Sequence, residues 1–178
     1  MEGIEIKLVP KDAGNFEQAR AFVSGTSLSY QTHIQTIGWQ DFKSNNQISG
    51  TTGQGKRVEA LKISTAQTGL TGSVVYQTHV QTIGWQAKVS NGAISGTTGQ
   101  SKRLEALNIS LTGEVAKFYD IYYRVHIQDK GWLAWTKNGG NAGSSGASRR
   151  LEALQIQLIP KWSASPATGK AFLSASDF

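Results

Sequence analysis

YQTHIQTIGWQ, residues 30–40, returns as YQTHVQTIGWQ at residues 76–86, and a third form, YRVHIQDKGWL at 123–133, keeps Tyr123, His126, Gln128, Gly131 and Trp132. A phrase that recurs at a fixed period belongs to a repeat architecture. Counted from Trp39, Trp85 and Trp132, the copies hold register without a gap. His33, His79 and His126 lie six residues before, Asn45, Asn91 and Asn138 six after, and Gly50, Gly96 and Gly143 eleven after. Gly53, Gly99 and Gly146 follow at fourteen, Arg57, Arg103 and Arg150 at eighteen, and Glu59, Glu105 and Glu152 at twenty. The chain carries three tandem copies with a period of 46–47 residues, over about 29–65, 75–112 and 122–161.

Each copy reads as three strands and a shorter fourth. In VVYQTHVQ, Tyr76, Thr78 and Val80 alternate with Gln77, His79 and Gln81, which puts a core row on one face of a strand and a polar row on the other. The next run, WQAKV, leads to Ser90-Asn91-Gly92, where Asn-Gly suits a tight hairpin because both residues tolerate positive φ. A short return strand, AIS, follows. GTTGQSK is too rich in glycine for a strand and reads as a surface loop. In RLEALNISL the alternation of Leu104 and Ala106 against Glu105, Leu107, Ile109 and Leu111 slips phase, as a bulge would make it do. Residues 14–23 are the one stretch with any helical pattern. No unit of this size buries a face alone, so the expectation is an all-β fold with three tandem repeats around a pseudo-threefold axis, β-prism or β-trefoil-like.

Composition agrees. Twenty glycines and only three prolines in 178 residues, with much Thr, Ser, Gln, Val and Ile, belong to short strands joined by turns. No stretch of 18 apolar residues offers a membrane span, so no membrane insertion is expected. The start, MEGIEIKLVPK, lacks the basic, apolar, small-residue order of a signal peptide. With no cysteine, disulfides, thiol nucleophiles and thiolate metal sites are excluded. Eighteen basic against twelve acidic side chains give +6, which favours anionic partners in general. The basic residues are scattered rather than interleaved with aromatics along one strip, which disfavours nucleic acid.

The ends share a second register. EGIEIKLVPK at 2–11 matches EALQIQLIPK at 152–161, and RAFVSG at 20–25 matches KAFLSA at 170–175, each pair offset by 150 residues. Residues 1–161 therefore read as a three-repeat domain, and 162–178 as the start of a further round or a swapped assembly segment. The spare copy is expected either to extend the fold beyond a closed round or to dock on another copy of the chain, giving a homo-oligomer by strand addition.

The pattern Y-x-x-H-[IV]-Q-x-x-G-W, then N-G, G-x-x-G and R-[VL]-E-A-L-x-I resembles the clostridial hydrophobic repeat with a conserved tryptophan, the ChW repeat, over residues 29–161. Asn46 departs from it where the other copies have Gly92 and Gly139, as do Ser144, Ser145 and Arg124 in the third copy. The family occurs mainly in exported proteins and lysins of Gram-positive bacteria and their phages. The resemblance implies an extracellular, cell-surface or phage-associated role in attachment or glycan binding, with no residue-level site to carry over.

Several side chains are candidates for that role. A tryptophan after glycine, once per unit, is expected to wedge into the shared core; the competing reading makes Trp39, Trp85 and Trp132 stacking platforms for a sugar ring. The polar rows Gln31, His33 and Gln35, Gln77, His79 and Gln81, and Arg124, His126 and Gln128 either tie down a neighbouring loop or face a polyol ligand. Trp135 and Trp162 occur once each and are further candidates for ligand contact. Arg57 and Glu59, with their equivalents, read as loop-stapling ion pairs. The three histidines lack carboxylates at flanking positions, so no metal site is assigned. No histidine stands in a privileged nucleophile–base–acid constellation, so no catalytic residue and no cofactor are assigned. The expectation is a non-catalytic module that binds bacterial or phage-targeted cell-wall or surface polysaccharide, with shallow sites multiplied by symmetry. The alternative is a structural or self-assembling repeat protein that exchanges strands at its duplicated ends.

Overall fold

The computed structural model describes residues 28–65 and 70–178. The first repeat forms β1 (Ser29–Ile34), β2 (Gly38–Trp39), β3 (Lys43–Ser44), β4 (Ser49–Gly50) and β5 (Val58–Ser64). The second forms β6 (Gly72–Val80), β7 (Gly84–Trp85), β8 (Val89–Ser90), β9 (Ser95–Gly96) and β10 (Leu104–Thr112). The third forms β11 (Tyr119–Ile127), β12 (Gly131–Trp132), β13 (Thr136–Lys137), β14 (Ala142–Ser144) and β15 (Leu151–Pro160). Between the last two lies α1 (Gly113–Phe118), a single turn-and-a-half whose Glu114 accepts the Thr71 N–H. The tail adds β16 (Phe172–Leu173). Residues 2–11, 14–23 and 20–25, which carried the helical pattern and half of the end-to-end match, lie outside the described residues.

The period-2 alternation holds where it was read: Tyr76, Thr78 and Val80 are buried while Gln77, His79 and Gln81 are half-exposed. WQAKV, expected as one strand, is two. Trp85 pairs with His79 and Val89 with Tyr76, so four steps on one side oppose three on the other and one residue is extra. Asn91-Gly92 makes the tight turn with φ of 35° and 82°, but its arms do not pair with each other. β8 returns to β6, while β9 crosses to the previous repeat and pairs with β5, Ala60 opposite Gly96 and Leu61 opposite Ser95.

That crossing organises the molecule. β14 of the third repeat pairs with β10 of the second, and β4 of the first pairs with β15 of the third, Gly50 opposite Ala153. Each repeat lends a short strand to another, and the three loans close a round. The result is three sheets in a prism-like arrangement over one cluster that includes Ile34, Val58, Val80, Leu104, Ile127 and Leu151. Tyrosine hydroxyls pin the seams. Tyr76 donates to the Ala93 carbonyl and accepts the Ile63 N–H at 3.1 Å; Tyr123 does the same with Gly140 and Ile109, and Tyr30 with Gln47 and Ile156.

Burial pushes the Tyr30 and Tyr123 phenols up from 10 to about 12, and Tyr76 up as well. Phenolate is disfavoured only in the folded state, so stability holds below pH 10 and falls as pH rises from 10 towards 12, by about 2–3 kcal/mol for each phenol shifted by two units. Urea midpoints at pH 8, 10 and 11 check this; a flat profile would show that the seams do not depend on the protonated hydroxyls.

The free edges of the lent strands are closed in two ways. Gln40 spans β4, its Oε1 accepting the Gly50 N–H at 2.6 Å and its Nε2 donating to the Gly50 carbonyl, and Gln86 treats Gly96 alike. A side-chain amide here imitates the peptide of an added strand. The third repeat has Leu133 at that position and uses a real strand: β16 runs parallel to β14, and Gly143 N–H donates to the Ala171 carbonyl at 2.9 Å. The tail thus adds a strand to the edge of its own chain's sheet.

Candidate functional site

The phase slip in R-[VL]-E-A-L is a β-bulge in all three repeats, with register shifting opposite His33, His79 and His126. The extra residue is the glutamate. Glu59, Glu105 and Glu152 are 5–6% exposed, and the bulge turns each carboxylate to the imidazole across the strand pair. In every repeat Arg Nη2 lies 2.8 Å and His Nδ1 3.1 Å from the two carboxylate oxygens: Arg57–Glu59–His33, Arg103–Glu105–His79 and Arg150–Glu152–His126. Arg Nε adds a second bond at 2.9 Å. The His contact lacks the in-line N–H geometry of a hydrogen bond and is one of close packing against the carboxylate. The ion pair expected to staple a loop is present, and it also positions the histidine, which spacing along one strand did not reveal.

Each histidine holds a tryptophan by its ring. His33 faces Trp39, His79 faces Trp85 and His126 faces Trp132 at centroid distances of 5.4–5.5 Å, edge to face. They are the cross-strand pairs at the mouth of a tight hairpin. At its tip Thr36, Thr82 and Asp129 adopt φ of 64–66°, a strained setting for threonine. The tip is tied down by Lys56 on Thr36, Lys102 on Thr82 and Arg149 on Asp129. These ties come from Lys56, Lys102 and Arg149 and not from the polar rows of glutamine and histidine.

The core-wedge expectation for tryptophan is overturned. Trp85 is 38% exposed, and Trp39 and Trp132 are half-buried. The reason is the bulge: Tyr30, Tyr76 and Tyr123 fill the inner row, and the hairpin carries the indole over the outer face with the histidine. Gln31, Gln77 and Arg124 also reach this face, opposite Lys62, Asn108 and Gln155. They differ between copies. Lys62 Nζ sits 4.5 Å over Trp39, whereas the Arg124 guanidinium sits 4.8 Å from both Trp132 and Trp135. Gln35, Gln81 and Gln128 close the strand end through backbone N–H bonds to Arg57, Arg103 and Arg150. Trp162 does not join them: it packs against Phe118 at 6.4 Å, where Pro160 and Tyr119 pair at the far end of the β11–β15 ribbon from Trp132. Among the described residues no three metal-ligating side chains converge.

Around the tryptophans the first two repeats expose Ile37, Phe42 and Ile48, and Ile83 and Ile94, while the third has Lys130 and Asn141 at two of these positions and a tail beside them. The family model described as clostridial hydrophobic W matches three times, at residues 33–65, 79–113 and 126–160. The chain belongs to the ChW family. Each match begins at the histidine and covers its tryptophan, arginine and glutamate. No curated protein and no solved structure matches the chain.

Proposed function

We propose that this ChW protein is a non-catalytic attachment module that binds bacterial cell-wall or surface glycan through three tryptophan stations. The carrying observation is that an indole, repeated once per unit, is kept at the surface by a His–Glu–Arg triad whose glutamate is buried. A core residue needs no such scaffold; an indole that meets the face of a sugar ring does, because the contact is flat and its N–H directs a hydrogen bond. Repetition supports the reading: three weak contacts on one rigid body add through avidity to a polymer that presents the same unit many times. A site of this kind asks for no proton transfer and no metal. The alternative, exchange of end strands between chains, is less well supported, since β16 fills the β14 edge from within its own chain.

The decisive experiment uses Trp85→Ala. With the indole at the surface, the substitution is expected to lower stability by only about 1 kcal/mol while weakening co-sedimentation with purified Gram-positive cell wall. Single-stranded DNA in a parallel salt series serves as the control, because binding by charge alone collapses as salt rises. Unchanged wall binding by Trp85→Ala, Trp39→Ala and Trp132→Ala alike would remove the stations from the function.

A further inference from the structure

Among the described arginines, Arg124 alone has no carboxylate. Arg57, Arg103 and Arg150 bind their glutamates at 2.8 Å, and Arg149 binds Asp129 at 3.0 Å. Arg124 stands between two indoles, its guanidinium carbon 4.8 Å from the ring centres of Trp132 and Trp135. Its Nε donates to Gln155 Oε1 at 2.8 Å, and Gln155, 8% exposed, is itself held by donating to the Asn46 carbonyl at 3.0 Å. The guanidinium is thus fixed on three sides. Indole faces attract the cation but offer its N–H groups only weak acceptors, and Nε is engaged, so the Nη edge of the fork is left for a strong one. A planar fork pre-set in this way matches the two oxygens of a carboxylate or phosphate.

The other stations lack this feature. Gln31 and Gln77 stand at the Arg124 position; Trp39 has an ammonium from Lys62, and in the second repeat Gln77 is paired with Asn108, both uncharged. Phe42 and Lys88 stand where the third repeat has Trp135. Arg124 and Trp135 therefore occur together in the third copy and in neither of the others.

We infer that the third repeat carries a site for an anionic group, a carboxylate or phosphate borne by a saccharide polymer, with the Arg124 fork as its bidentate donor and Trp132 and Trp135 as its walls. This rests on the glycan-binding reading above and adds a charge requirement to one station.

The test is calorimetric titration of the full chain with three probes: polygalacturonate, a glycerol-phosphate polymer and neutral dextran. R124Q restores the residue of the other copies, and its thermal midpoint confirms folding. R124Q is expected to bind the anionic probe about tenfold more weakly, as loss of a charge-assisted pair does, with dextran binding unchanged. R124K, which keeps the charge and loses the fork, is expected to fall between. The anionic polymer whose affinity drops distinguishes carboxylate from phosphate. Equal affinity of R124Q and the native chain for both anionic polymers overturns the site. Dextran binding without either anionic polymer overturns the site and leaves the glycan reading standing, and no binding of any probe overturns both.

Discussion

Gly96→Ala is expected to destabilise the protein by about 4 kcal/mol or more, at the top of the range for single substitutions. Gly96 has φ of +110° and sits where β9 crosses into the first repeat. A Cβ there would collide with the Glu59 carbonyl oxygen and stand 2.6 Å from the Ala60 Cα, both backbone atoms that cannot turn aside. Relief requires β9 to leave β5, which also breaks the Thr97 N–H bond to the Glu59 carbonyl at 2.9 Å and uncovers Ser95. The same contacts recur at Gly50 against Ala153 and Gly143 against Ala106. Gly99→Ala is the control: φ is +73° with nothing within 4 Å, so only backbone strain of about 1–2 kcal/mol is expected. Urea unfolding of the two variants decides it. Similar midpoints would mean that the seams yield easily and that the repeats are not locked together by close backbone approach.

Glu105→Leu is expected to cost about 3 kcal/mol and to weaken glycan binding at the second station. The carboxylate accepts the Arg103 Nε–H at 2.9 Å, lies 2.8 Å from Arg103 Nη2 and meets His79 Nδ1 at 3.1 Å, and the three side chains are 9–20% exposed. Removing the shared anion leaves a largely buried guanidinium without a counter-charge, and this penalty exceeds what the pair itself contributes. The 20% exposure of Arg103 lets some water reach it, which holds the expected cost to the lower end for buried pairs. The double variant Glu105→Leu, Arg103→Leu is therefore expected to recover a good part of the loss, and a thermodynamic cycle measures the coupling. Function separates the roles. If His79 is held by Glu105 so as to fix Trp85, the double variant regains stability but not binding. Recovery of both would show that the triad serves the fold alone.

The repeats, the strand faces and the bulge were legible because each leaves a trace along the chain: identical spacing, period-2 alternation and a break in that alternation at Glu59, Glu105 and Glu152. Strand lending was not. β9 and the loop around it look alike whether AIS folds back on its own hairpin or crosses to a neighbour, and only Gly96, a glycine demanded by close approach, hinted at the crossing. Tryptophan was misplaced for a related reason. Its place in a threefold pattern says that the environment is shared, not that it is dry, and Tyr76 four residues upstream of Val80 already fills the inner slot. The glutamates were read as partners of arginine alone because i and i+2 are neighbours in sequence, whereas His79 meets Glu105 only across a strand pair displaced by the extra residue. Arg124 was visible as a departure from the pattern, but its two indoles come together only when the third hairpin folds.

The cyclic loan of short strands also constrains how such arrays grow. In a solenoid, a unit gained or lost by duplication changes length and little else, since each unit rests on its neighbours in a line. Here the first repeat's β4 completes the sheet of the third. One unit more would place a donor with no sheet to receive it, and one unit less would leave a sheet without its donor, with Ala153 and Leu154 deprived of Gly50 and Ser49. Gene duplication in this architecture is favoured in steps of a full round, and divergence is free only within a round, where Lys62, Asn108 and Gln155 already differ at one equivalent position.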